Sequence, residues 1–289
     1  MRIAPMPTAV RCHHPVPREP AGRRCRAQGW ARWLLLAAVA LALLLVLLLV
    51  PRQAQSERLP DTVERVEPAI VSVATHQPAR SPRLRHLGTG FAVADGRLVA
   101  TNLHVLPDVL DRENQERLVV VTGSGRNTEV RSAERVAASQ THDLALLRIS
   151  GTPLPALSLG DSDAVRTGER LAFTGFPIGM ILGMYPATHR ASVSARTPMA
   201  LPAGHSRQLD ERRVAQLRRN PPMVFQLDGT AYPGNSGSPL FRIDSGEVVG
   251  IINQVFVQGG REAAVGSPSG ISYAVPSGQL RALIEGHRD

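Results

Sequence analysis

The sequence has no lysine; all 33 of its basic residues are arginines. A serine–lysine catalytic dyad is thereby excluded. Cysteine is nearly as scarce, and both residues, Cys12 and Cys25, sit in the N-terminal leader. Everything after residue 25 can therefore form no disulfide and offers no thiol nucleophile. The leader stretch "RCHHPVPREPAGRRC" (11–25) sets two thiols beside two imidazoles, but it fits no standard zinc-ligand spacing and lies in a Pro/Arg-rich segment. We read it as a tail, and expect no metal and no cofactor in this protein. A strong charge imbalance is also missing where a nucleic-acid partner would need one. Of the net +9, residues 1–52 carry eight arginines against one acid, Glu19, whereas residues 53–289 are nearly neutral. A nucleic-acid-binding domain is not expected in that larger part.

Long apolar runs are absent except for one. Residues 33–50, "WLLLAAVALALLLVLLLV", contain no charge over 18 residues. That approaches the length of a membrane-spanning helix and exceeds the apolar stretch of an ordinary signal peptide. Lacking a polar face, it makes a poor core helix. Seven arginines precede it, which places residues 1–32 in the cytoplasm and exports the chain beyond residue 50. Arg52 occupies the place where a small residue would be needed for cutting after Ala54, favouring an uncleaved anchor over a cleaved signal. The expected organisation is a cytoplasmic tail (1–32), an anchor (33–50), a linker (51–60) and one globular domain (61–289).

Within that domain the pattern is of many short strands. "AIVSVAT" (69–75) is rich in β-branched residues, and "GFAVADGRLVATN" (90–102) reads as a hairpin turning at Asp95-Gly96. "RLVVVTG", "LALLRIS", "RLAFTGF", "MVFQLD", "EVVGIINQVFV" and "ISYAVP" come next, separated by turn-rich pieces. Asp61 and Glu64 suggest one helical turn stopped by Pro68, and "SGQLRALIEG" (277–286) a terminal helix. An arginine-rich insert at 199–220 could form another helix, either a solvated face or a sensor of a partner or anionic lipid. No internal repeat of 20–50 residues is visible. The expectation is an all-β domain, a sandwich or a pair of barrels.

One segment raises a chemical question. In "AYPGNSGSPL" (231–240), Ser236 stands among glycines. Alone, such a stretch reads equally as a surface turn. A serine hydroxyl is a weak nucleophile that needs a base for its proton and donors for the developing oxyanion, and flanking glycines let successive N–H groups converge. In that geometry the amides of Gly234 and Ser236 form the oxyanion hole. His104, in "VATNLHVLPD", comes directly after a hairpin strand, and Asp143, in "THDLALLRIS", opens an alternating one. A lone histidine among nine is usually structural. The order His, Asp, Ser along a two-barrel β pattern is what favours chemistry.

These segments resemble the chymotrypsin-fold serine proteases, and the HtrA/Deg family most closely. "GTGFAVADGRLVATNLHV" is similar to that family's hairpin leading to the histidine, "GDSDAVRTGERLAFTGFPIG" to the segment joining its barrels, and "YPGNSGSPL" to its serine loop. "GISYAVPSGQLRALI" is similar to its last strand and helix. The resemblance implies two six-stranded antiparallel β-barrels with a C-terminal helix, with His104 as base, Asp143 as orienting acid and Ser236 as nucleophile. It implies Thr230, six residues before the serine, at the floor of the primary pocket, and Asn253 on the strand that lines it. With no carboxylate at Thr230, cleavage after small or medium apolar residues is expected. Glutamate specificity is not, because the lining strand carries no histidine. The implied protein is a serine endopeptidase of the bacterial inner membrane, its catalytic domain periplasmic or extracellular, acting on proteins or peptides. Homotrimers are common among relatives, so the resemblance allows one here, which the residues leave open. The alternatives are a binding or chaperone module that keeps the fold without activity, and an esterase, which the residue order disfavours. Two departures stand out: no PDZ domain is expected, since residues 60–289 are taken up by the β-rich region, and Ser238 replaces the second glycine of most relatives.

Overall fold

The structure is a computed structural model that describes residues 36, 39, 59–177, 183–199, 221–253 and 270–288. The chain separates into two compact units, residues 1–56 and 57–289. In the first, only Leu36 and Val39 are described, both helical and solvent-exposed. The remainder of the apolar run at 33–50, and the insert beyond Met199, lie outside the described residues. Among the described residues no helix is long and apolar enough to cross a membrane.

The second unit opens with helix α1 (Leu59–Val66), which runs the full eight residues before a 3₁₀ turn takes up Pro68 at Glu67–Ala69. Six strands come after it: β1 (Ile70–His76), β2 (Leu84–Val93), β3 (Leu98–Asn102), β4 (Arg117–Ser124), β5 (Asn127–Ser139) and β6 (Leu144–Ile149). They close into a barrel in the order β1-β2-β3-β6-β5-β4. Six more, β7 (Arg170–Gly175), β8 (Ala187–Pro198), β9 (Met223–Leu227), β10 (Pro239–Arg242), β11 (Val248–Asn253) and β12 (Ser272–Pro276), close into a second. Helix α2 (Ser277–Arg288) ends the chain. Every strand pairing within the barrels is antiparallel. Starting at β7, the second barrel has the order β7-β8-β9-β12-β11-β10, the same wiring as the first. The repeat absent from the sequence is thus present in the topology, because pairing order depends on which backbones meet and not on which side chains they carry.

Three clusters form the core, and strand alternation sorts residues among them. Val71, Val73, Val99, Val120, Ala145 and Leu147 fill the first barrel. Leu171, Phe173, Val193, Phe225, Leu240 and Ile252 fill the second. Their neighbours in sequence, including Ile70, Ala100, Leu144, Leu146, Phe241 and Ile251, turn outward into a third cluster with Leu280 and Ile284 of α2. This third cluster joins the barrels. Strands buried on both faces explain why "LALLRI" is almost continuously apolar where a half-exposed strand would alternate.

The hairpin expected at Asp95-Gly96 turns there, but over four residues, with Ala94 at φ 55° and Gly96 at φ 76°. The Arg97 N–H donates to Asp95 Oδ1 at 2.9 Å, an Asx-type closure. Strands β5, β8 and β10 are not among those expected from the sequence. β5 has a single buried residue, Arg131, and β10 begins with a proline, so neither offers an apolar alternation.

Candidate active site

The register of β3 against β6 brings a histidine to an aspartate. Asn102 pairs with Leu144, the last rung of that ladder. Extended by one residue, the ladder sets Leu103 against Asp143, and the Leu103 N–H donates to the Asp143 carbonyl at 3.1 Å. His104 lies one step further, on a 3₁₀ turn at Leu103–Val105 that lifts it off the sheet. Its backbone N–H donates to Asp143 Oδ1 at 2.8 Å, and its ring Nδ1–H donates to Oδ2 at 2.5 Å. A carboxylate accepting at Nδ1 leaves Nε2 as the lone-pair nitrogen of a neutral ring. Nε2 is 3.0 Å from Ser236 Oγ.

Asp143 is held unusually firmly. Besides these contacts, its carbonyl accepts from Asn102 Nδ2 at 3.0 Å and its Oδ2 from Asn253 Nδ2 at 2.7 Å. Its φ is 53°, in the left-handed region that costs an L-residue roughly 1–2 kcal/mol. Such strain persists only where surrounding bonds overdetermine it, as the five accepted here do. The side chains of His104 and Asp143 are both 20 % exposed, shielded enough to strengthen their interaction yet open to a substrate.

Ser236 comes from the loop between β9 and β10, which is built on tight turns. The Asn235 N–H donates to Tyr232 O at 2.9 Å and the Ser238 N–H to Asn235 O at 3.0 Å. Gly234 has φ 101° and Gly237 φ 87°. At Gly237 a Cβ would lie 2.0 Å from the carbonyl oxygen of Thr89, so no other residue fits. The Gly237 N–H donates to Ile252 O and the Thr89 N–H to Ser236 O, at 2.9 and 2.8 Å. The amides of Gly234 and Ser236 find no acceptor among the described residues. Ser238 is fully buried, and its Oγ lies 2.0 Å from where a Cβ on Gly175 would be. The missing side chain at Gly175 makes room for the extra hydroxyl.

Thr230 and Asn253, the residues expected at the pocket, have the following surroundings. Thr230 is partly exposed in the serine loop, and its hydroxyl makes no hydrogen bond among the described residues. Asn253, expected to line the pocket, is fully buried, and its side-chain amide donates to Asp143 Oδ2. A strand-end residue with a short amide gave no signal of this, because the contact spans 110 residues of chain. His189, on β8, stacks on Phe173 at 5.0 Å and lies 6.0 Å from Tyr232 of the serine loop. Burial pushes its imidazole below the ordinary 6.5, so it is neutral at pH 7. Among the described residues no three His, Cys, Asp or Glu side chains gather to hold a metal ion.

The sequence profile of the trypsin-like peptidase domain matches residues 88–251. The chain belongs to the trypsin-like peptidases. This peptidase-family chain is 27% identical over 293 residues to the "Probable periplasmic serine endoprotease DegP-like" of Halomonas elongata, covering 85% of this chain and 52% of that one. It is 30% identical over 234 residues to the magnetosome formation protease MamE of Paramagnetospirillum magneticum, covering 80% and 27%. It thus spans about half the length, or less, of these relatives. Among solved structures, it superposes on the HtrA-type protease AlgW with decapeptide at a TM-score of 0.57 and 23% identity, covering 78% and 67% of the two chains. The serine endoprotease from Yersinia pestis gives 0.56 and 24%, covering 80% and 67%. At that identity the superpositions establish the fold, which is the expected pair of barrels with a C-terminal helix.

Proposed function

We propose that this trypsin-like peptidase is a serine endopeptidase that cleaves proteins or peptides outside the cytoplasm through an acyl-enzyme, with Ser236, His104 and Asp143 as its triad. The observation carrying this reading is the continuous line from Asp143 Oδ2 through both nitrogens of His104 to Ser236 Oγ, in steps of 2.5 and 3.0 Å. Those are hydrogen-bond distances on which a proton can move.

Ser236 Oγ attacks the scissile carbonyl as its proton passes to His104 Nε2. The imidazolium that forms is stabilised by Asp143, which stays ionised and keeps Nδ1 as the donor. The carbonyl oxygen, now negative, takes hydrogen bonds from the Gly234 and Ser236 amides, which spend nothing on giving up another acceptor. His104 then returns its proton to the leaving amine. Water, deprotonated by His104, hydrolyses the ester and restores the serine. Thr230 at the pocket floor supports cleavage after small or medium apolar residues, since it supplies no charge to an arginine or lysine side chain.

Location rests on the same reading: residues 33–50 anchor the chain in the inner membrane with the peptidase on the periplasmic side. The DegP-like relatives, periplasmic by name, support the compartment, and the seven arginines before the apolar run support the direction. A role in quality control or regulated proteolysis, and assembly as a homotrimer, belong to the same proposal. Labelling of the full chain with a fluorophosphonate, with the adduct mapped by mass spectrometry, tests the chemistry. The expected adduct is on Ser236; none under any activating condition favours a binding module on the same fold. Carbonate extraction of membranes, with protease protection of spheroplasts, tests the anchor and its direction.

A further inference from the structure

We propose that Thr89 is a positioning residue for acyl transfer, a clamp reaching from the first barrel that holds the oxyanion-hole turn of the second. This inference rests on the peptidase reading of Ser236. Thr89 lies on β2, fully buried, and each of its polar groups is engaged. Its N–H donates to Ser236 O at 2.8 Å. Its Oγ1 donates to Gly234 O at 2.7 Å and accepts from the Phe176 N–H at 3.0 Å. Its carbonyl accepts from Thr101 Oγ1 at 2.7 Å. The direction of the hydroxyl proton is settled by its partners: an amide can only donate and a carbonyl can only accept, so the proton points at Gly234.

The two carbonyls that Thr89 binds belong to Gly234 and Ser236, the residues whose amides are proposed to take the oxyanion. Gly234, with no side chain, adopts positive and negative φ with similar ease and so has no intrinsic preference for its observed 101°. Something outside the residue must hold it. The peptide after Gly234 is pinned at both ends, by Thr89 at its oxygen and by Tyr232 O at the Asn235 N–H. With that peptide fixed, Gly234 keeps only rotation about its own N–Cα and Cα–C bonds, which limits how far its amide, in the peptide before, can turn away. The third partner, Phe176, comes directly after β7, so one hydroxyl joins β2, the β7 end and the serine loop. Donors that must already be in place when charge develops require such fixed supports.

Three variants of the full chain test the clamp: Thr89→Val, which keeps the shape and loses the hydroxyl, Thr89→Ser, which keeps the hydroxyl, and Thr89→Ala, for use where valine prevents folding. The measurements are kcat and KM on a peptide substrate, the rate of fluorophosphonate labelling, the pH dependence of kcat/KM and the thermal midpoint. Direct removal of an oxyanion donor costs about 10²–10³-fold in kcat, so loosening one should cost about 10–100-fold. Thr89→Val is expected to show that loss with KM and the acid limb of the pH profile unchanged, because His104 and Asp143 are untouched. Thr89→Ser is expected to restore kcat to within about threefold of the parent, on the same scale. Parental kcat in the folded valine or alanine variant overturns the proposal. So does a serine variant as slow as valine, which would assign Thr89 to packing alone. A parent chain that neither turns over nor labels removes the peptidase reading itself, an outcome distinct from both.

Discussion

The two barrels share one strand order yet hold their parts of the site by different means. The first presents His104 and Asp143 from adjoining strand ends, so the β3–β6 ladder that closes the barrel also sets the distance between them. The second presents Ser236 from a loop, with glycines at φ 101° and 87° on either side. A register cannot drift without turning every side chain to the other face, whereas a loop needs outside contacts to keep one shape. Those contacts come largely from the other barrel: Thr89 of the first holds the serine loop, and Asn253 of the second holds Asp143. Neither barrel completes its own half of the site.

Substitutions can break this division of labour in graded ways. Ser236→Ala should have the largest effect, lowering kcat by about 10⁶-fold and leaving only what binding and the oxyanion amides supply. Casein or peptide turnover by the purified chain measures it, and parental turnover in this variant would falsify the mechanism. On the register side, Asp143→Asn should lower kcat by about 10⁴-fold, since the amide favours the wrong tautomer of His104. Gly237→Ala attacks the loop. Its Cβ would strike the Thr89 carbonyl at 2.0 Å, and its φ of 87° suits only glycine. A loss of about 2–4 kcal/mol, or roughly 5–15 °C in Tm by calorimetry, is expected alongside lost activity.

Asn253→Ala removes the second barrel's hold on the acid. It should cost about tenfold in kcat with little change in KM, as expected for a lost hydrogen bond to a charged group worth about 1.5–3 kcal/mol and partly offset by solvent. A change confined to KM would return Asn253 to the pocket. The smallest effect is that of acid on stability. His142 and His189 are both held below the ordinary 6.5 by burial. Their folded forms resist a proton that the unfolded chain accepts, so stability is unaffected well above pH 6.5 and declines as pH falls below it. Glu116 is depressed, first by a hydrogen bond from Thr75, then by Asp111 N–H, Arg80 and Arg85, with burial opposing them. Its contribution is present above 4.5 and lost as pH falls through its lower folded value. Thermal scans should show a shallow decline below pH 6.5, reduced by His189→Phe, and a further one below 4.5, reduced by Glu116→Gln.

Much of the fold was legible because both faces of many strands are buried, so runs such as "IVSVAT" and "LALLRI" stand out against turns. β5 and β8 were not, since charged and polar residues dominate both strands and few positions are buried, Arg131 in β5 and Ala191 and Val193 in β8. The candidate site was legible in three residues, His104, Asp143 and Ser236, whose order along the chain carries chemical meaning. Thr89 and Asn253 were not. Threonine and asparagine are ordinary in strands and at strand ends, and what they do depends on partners 145 and 110 residues away.

By itself, the sequence determined which chemistry could be present: one serine among glycines, a histidine and an aspartate in peptidase order, no lysine and no thiol in the globular part. Residue identity limits which protons can move, and no folding changes that. Only the tertiary structure decided which hydrogen bonds hold those groups, because the closing of two like-wired barrels against a common core brings β2 to the serine loop and β11 to Asp143. Those supports act across the seam between barrels, where proximity is set by packing and is written in no local stretch of chain.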